Sequence, residues 1–265
     1  MIYFSSLINS PEYRPAADRI SAALREENIA FSYIENTKDI WLRDFMPVKT
    51  KSGKYISFRY EPCYLEEDKN IRTNYRDIEA QLPVKAAYSD INLDGGNVVY
   101  SPSKEKVIMS SRVFSENSDR QENELKAELE KLLEAKVIII PSLSIKYDLT
   151  GHADGMVRFI DENTVVGNDT GIKLGLESQI KKGLEKEGIT VIDFPYFDSK
   201  GDSAIGCYLN FLETEKCIFL PVFSSPDDKR AVKTAKDIFN KKIIPVEINE
   251  IAVKGGCLNC ISWEI

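Results

Sequence analysis

Apolar positions recur along the chain in a fixed order: two short apolar runs joined by a polar turn, a stretch with apolar residues three or four apart, then one more short run. In GMVRFIDENTVVGND, the polar Asp161, Glu162 and Asn163 separate two β-rich runs, which predicts a hairpin. In LGLESQIKKGLEKEGI, Leu176, Ile180 and Leu184 recur four apart and Gly188 ends the pattern, so a helix is expected, followed by a strand at TVIDFPY. The same order appears in NVVYSPSKEKVIMSS, ENELKAELEKLLEA and KVIIIPS, and again in YLNFLETEKCIFLPV, PDDKRAVKTAKDIFN and KKIIPVEI. A fainter copy starts at MPVKTKSGKYISFRY and ends near VKAAYS; its middle, LEEDKNIRTNYRDIEAQL, is a poor helix.

A fifth copy is divided between the ends: ISWEI closes the chain, while MIYFSSL, PAADRISAALREEN and IAFSYI open it. Periods of about 50 residues suggest propellers or arrays. A unit completed by both ends makes the molecule closed and its termini neighbours. The pattern therefore predicts an α/β protein of five ββαβ units forming one domain over 1–265, against the alternative of an irregular α/β domain.

Composition narrows the partners. The chain has 265 residues, 43% of them hydrophobic, which is enough for a sizeable core. Its 35 basic and 42 acidic residues give a net charge of -7 without a Lys/Arg-rich run, so nucleic acid is not an expected partner. MIYFSSLINSPEYRPAADR has no basic segment followed by a long apolar one, and no later run approaches the roughly 18 apolar residues of a membrane span. A soluble, cytoplasmic protein with no membrane partner is expected.

Five cysteines, Cys63, Cys207, Cys217, Cys257 and Cys260, are an odd number in a chain too large to need disulfide staples, which suits a reducing compartment. His152 is the sole histidine, so imidazole acid–base chemistry has one candidate and zinc sites with several His are excluded.

Beyond the third strand of each unit the composition turns polar and glycine-rich: IWLRDF with Trp41, Arg43 and Asp44, NLDGGN with Asp94 and Asn97, DLTGHADG with His152 and Asp154, SAIGCYLN with Asn210, and GGCLNC with Cys260. In a closed array these equivalent positions meet around one axis, which makes them candidates for a single site. Each also has a plainer reading. Asp44 can pair with Arg43 or cap a turn, and the glycines of LDGGN can serve only a tight turn or bulge. Gly-His-x-Asp-Gly puts imidazole and carboxylate on one face if the backbone is extended. The Cys257-x-x-Cys260 pair lacks the further ligands of a metal site, and a β-run rather than a helix follows it, which leaves a redox dithiol as the minor alternative to one nucleophilic thiolate.

With these segments in view, the sequence resembles the guanidine-modifying pentein superfamily, and most of all its agmatine deiminase and bacterial peptidylarginine deiminase branch. The matching stretches are WLRDFMPV, LDGGN, GHADGMVRF, CYLNF followed by PVFSSPDD, and GGCLNC, in family order from residue 41 to 260. The resemblance implies a five-bladed, pseudo-symmetric α/β propeller. It implies Cys260 as nucleophile, His152 as acid/base, and Asp44 and Asp154 as carboxylates holding a guanidinium. Trp41, Arg43, Asp94, Asn97 and Asn210 are implied as further positions lining the substrate.

The implied reaction turns agmatine, arginine or a peptidyl-arginine into a ureido product and ammonia, without metal or organic cofactor; for agmatine it belongs to putrescine biosynthesis. Two departures stand out: Asn259 replaces the usual His before the nucleophile, and Cys257 replaces a third glycine. Arg43 and Arg59 are candidates for meeting a substrate carboxylate, or are surface charges. An amidinotransferase and a non-catalytic guanidine-binding propeller are the alternative functions.

Overall fold

The computed structural model describes residues 1–171, 175–199, 201 and 203–265. Among these residues, fifteen strands form five three-stranded sheets, one for each predicted unit. The unit divided between the ends joins β1 (Ile2–Ser5), β2 (Phe31–Ile34) and the last strand, β15 (Ser262–Glu264), in the order β15-β1-β2. β1 runs antiparallel to β15, with Tyr3 opposite Trp263, and parallel to β2. The backbone amide of Ile265 donates to the Met1 carbonyl at 3.1 Å, so the termini are neighbours, as the pattern requires.

The next unit contains β3 (Val48–Lys49), β4 (Tyr55–Arg59) and β5 (Ala86–Asn92); then come β6 (Val99–Tyr100), β7 (Lys106–Ser110) and β8 (Lys136–Ile140). They are followed by β9 (Val157–Asp161), β10 (Thr164–Asp169) and β11 (Thr190–Pro195), and by β12 (Leu212–Glu213), β13 (Cys217–Val222) and β14 (Lys242–Glu247). In the sheets of β3, β6 and β12 the first strand is antiparallel to the middle one, which is parallel to the third. The β9–β10 hairpin turns at the predicted Asp161–Thr164 junction.

Helices lie where the apolar spacing is helical. Glu122–Leu133 buries Leu125, Leu129 and Leu133, and Leu176–Lys186 buries Ile180 and Leu184. Each such side chain contributes about 1.5–3 kcal/mol by leaving water. Arg14–Glu26 and Asp228–Ile238 bury small or branched residues on one face, Ala16, Ala17, Ile20 and Leu24 in the first and Ala231 and Ala235 in the second. The stretch read as a poor helix breaks into short turns around a four-residue helix, Tyr75–Ile78, because its apolar residues never settle into a repeat.

The chain divides into two compact units. The first comprises Met1–Arg43, Asn168–Gly171 and the described part of 193–265; the second comprises Asp44–Gly167 and the described part of 172–192. The second has two apolar clusters, one centred on Val107, Met109, Leu129 and Val137, the other on Ile108, Ile138, Val157 and Leu184. β7 feeds alternate residues to each, since neighbouring side chains on a strand point to opposite faces. Among the described residues, no helix is long and apolar enough to cross a membrane.

Candidate active site

In the second unit, three loops bring Asp44, Asp94 and His152 together. Asp44 lies in the short helix Leu42–Phe45, Asp94 precedes the turn Gly95–Asn97, and His152 precedes the turn Ala153–Gly155. The Nε2 of His152 is 2.9 Å from Asp94 Oδ2, and its Nδ1 is 3.6 Å from Asp44 Oδ1. All three residues are buried. Burial by itself lowers the imidazole pKa, but Asp44, Asp94 and Asp154 together outweigh it and push His152 up to about 10. The ring is therefore an imidazolium at neutral pH.

Asp154 departs from the extended arrangement expected of Gly-His-x-Asp-Gly. Ala153–Gly155 form a 3-10 turn, and Asp154, itself buried, acts on His152 through its charge. The carboxylate hydrogen-bonded to the ring comes instead from Asp94, which only the fold can deliver.

Gly96 sits in a tight turn, as expected, and has a second role there. Its φ is not in the left-handed region, yet a Cβ there would lie 2.5 Å from His152 Nδ1 and 2.7 Å from Asp44 Oδ1. The missing side chain lets its N–H donate to Asp44 Oδ1 at 3.1 Å. Gly96→Ala is expected to lower kcat about tenfold and stability by about 1–3 kcal/mol, read from ammonia release and urea unfolding; unchanged values would show that the loop yields without cost.

Asn97 supports the site from beneath. Its Oδ1 accepts from the backbone amides of Ser110 and Ala153, at 2.7 and 3.3 Å, tying β7 to the turn after His152. Arg112 braces the approach to that turn by donating to the carbonyls of Leu143 and Asp148, while Gly151, at φ +62°, leaves room for its guanidinium. Tyr64 donates its hydroxyl to Asp94 Oδ2 at 2.8 Å. Neither Arg112 nor Tyr64 carried a sequence signal, since both lie outside the polar segments that follow the third strands.

In the first unit, Cys260 occupies a turn built by Asn210. Asn210 Oδ1 accepts from the backbone amides of Cys257 and Cys260 at 3.1 and 3.2 Å, and its carbonyl accepts from Asn259. The Arg43 amide donates to the Cys260 carbonyl, and its guanidinium reaches both the Asn259 carbonyl and Glu264. Trp41 lies against Gly256, where a Cβ would be 2.4 Å from the ring and 3.0 Å from the Cys260 Cβ. The two thiols differ: Cys257 is fully buried with Sγ 3.5 Å from the Ala204 carbonyl, whereas Cys260 is partly exposed.

Comparison with known proteins gives this arrangement a class. The chain is similar over 99% of its length to the agmatine deiminase of C. jejuni with substrate bound, at 19% identity, a TM-score of 0.75 and 92% coverage of that chain. It is likewise similar to the agmatine deiminase of Enterococcus faecalis, with a TM-score of 0.79, 17% identity, and 99% and 92% of the two chains covered. DDAH from Pseudomonas aeruginosa in complex with citrulline matches more distantly, with a TM-score of 0.62 and 12% identity over 100% of this chain and 98% of that one. The five sheets are thus the blades of a pentein-type α/β propeller.

The sequence model of the Porphyromonas-type peptidyl-arginine deiminases matches residues 7–265, and the chain belongs to that family. It is a guanidino-group deiminase, a hydrolase acting on carbon–nitrogen bonds of linear amidines.

Proposed function

We propose that the protein deiminates agmatine through a covalent intermediate on Cys260, with 1–265 acting as one catalytic domain. The observation that carries this reading is the cluster of Asp44, Asp94 and Asp154 around one imidazolium: three buried carboxylates against one cation favour a second, planar cation. Asp44 and Asp154 hold the guanidinium by its N–H edges, and Asp94 orients His152. The Cys260 thiolate attacks the guanidinium carbon to form a tetrahedral adduct. The C–N bond then breaks, ammonia departs with a proton from His152, and a thiouronium remains on sulfur.

Neutral His152 next takes a proton from the water that attacks the same carbon. The C–S bond then breaks and restores the thiolate while the adduct's hydroxyl proton passes to solvent, where the released ammonia takes it up as ammonium, leaving the neutral ureido product. Water is the only co-reactant. Two structures among the relatives support the sulfur's role: those of the C. jejuni enzyme with substrate and of DDAH with citrulline both carry a Cys-to-Ser replacement. A free thiol nucleophile also suits a reducing cytoplasm.

Agmatine is favoured over arginine because Arg43, the candidate carboxylate binder beside the Cys260 turn, is already engaged. Arg43 is tied to Glu264 and to the Asn259 carbonyl, and Arg59 lies 3.9 Å from Glu61. Ammonia release from agmatine, arginine and an arginyl peptide tests the assignment. Agmatine is expected to exceed arginine in kcat/KM by roughly tenfold or more, the size of effect that an uncompensated buried polar group supports. A preference for arginine or for the peptide would overturn the substrate while leaving the deiminase class intact.

A further inference from the structure

We propose that Tyr64 is a positioning residue that sets the basicity of His152 through Asp94. This rests on the reading of His152 as the acid/base. Tyr64 lies in the short 3-10 turn Cys63–Leu65, within the stretch that fails to form a regular helix. Its hydroxyl donates to Asp94 Oδ2 at 2.8 Å, and the same oxygen is 2.9 Å from His152 Nε2. The tyrosine ring also meets the imidazole edge-on, with centroids 6.3 Å apart and planes at 68°. One carboxylate oxygen thus serves two donors.

A phenol donating to that oxygen withdraws electron density and occupies acceptor capacity that the imidazolium would otherwise use. Burial, followed by the charges of Asp94 and Asp44 and the nearby Tyr60, holds Tyr64 in its neutral, donating form. The groups acting on His152 are Asp44, Asp94 and Asp154, with the ring of Tyr64 against it, while the Arg112 guanidinium packs against the neighbouring Gly151. His152 must release a proton to the leaving ammonia and later accept one from water. Three carboxylates alone would hold that proton too firmly, and Tyr64 loosens the shorter of the two ring contacts, that of Asp94 at 2.9 Å against 3.6 Å for Asp44.

His152 is the chain's sole histidine, so its imidazole C–H signals in NMR need no assignment. In Tyr64→Phe the His152 titration is expected to move up by about half a unit or more, which lowers the neutral fraction near pH 9.5 about threefold. With agmatine, kcat is expected to fall several-fold with KM little changed. In an Asp94→Asn background, adding Tyr64→Phe is expected to leave the titration where it stands, because the hydroxyl acts through that carboxylate.

Tyr64→Leu, which lacks both ring and hydroxyl, serves as the second variant. An upward shift in both variants supports the hydroxyl as cause. An unmoved titration in Tyr64→Phe, a shift confined to Tyr64→Leu, or an equal shift in the Asp94→Asn background would each overturn the proposal. Full activity of His152→Ala would instead remove the acid/base reading, while the NMR titration would still decide whether Tyr64 governs that ring.

Discussion

Cys260→Ala is expected to abolish ammonia release from agmatine, by about 10⁴-fold or more, the scale of deleting a covalent nucleophile. Cys257→Ala is expected to retain activity within about threefold and to lose on the order of 1 kcal/mol of stability. The two thiols lie three residues apart, but the structure treats them differently. Asn210 Oδ1 gathers both backbone amides, yet Cys257 directs its sulfur toward the Ala204 carbonyl in the protein interior. Cys260 keeps its side chain partly exposed, with Gly256 clearing space between it and Trp41. A free thiol has a pKa near 8.5, so only a small fraction is thiolate at neutral pH, and a bound guanidinium is the cation that raises that fraction. Intact-mass measurement after brief incubation with agmatine is expected to show an adduct that Cys260→Ala lacks. Equal losses in the two variants would restore the dithiol reading and remove the nucleophile assignment.

His152→Ala is expected to lower kcat by about 100-fold or more, since positioned proton transfer contributes on that scale. It also removes a dependence of stability on pH. The ring's pKa rises from 6.5 to about 10 on folding, so the native state holds its proton more tightly than the unfolded chain does. The resulting stabilisation is complete below pH 6.5 and is lost as pH climbs through about 10. Urea unfolding of the wild type between those pH values is expected to show falling stability, a slope that His152→Ala lacks. A flat wild-type profile would mean that the three carboxylates do not hold the imidazolium. Near-normal turnover in the variant would sink the acid/base scheme, because no second imidazole exists to replace it.

The sites of these predictions differ in how visible they were in the sequence. His152, Asp44 and Cys260 could be singled out because each sits in a polar, glycine-rich segment just after the third strand of a unit. Asp94 was visible as a position, but its bond to the imidazole was not: the nearer carboxylate along the chain, Asp154, was the natural partner until the 3-10 turn Ala153–Gly155 set it aside. Gly96 looked like a turn residue, and its exclusion of a Cβ from the space beside His152 is a contact between loops far apart in sequence. Arg43 looked like a charge that could meet a substrate, and it is engaged by Glu264 and the Cys260 turn.

By itself the sequence determined the five ββαβ units and the meeting of the termini, and it singled out the candidate reactive groups. Those follow from local causes: alternation along strands, helical spacing of apolar residues, and the scarcity of His. Only the tertiary structure decided which carboxylate meets the imidazole, which thiol is buried, and which tyrosine reaches the cluster. Those depend on ångström-scale distances between loops carried by different blades, and residue order along one chain does not encode such distances locally.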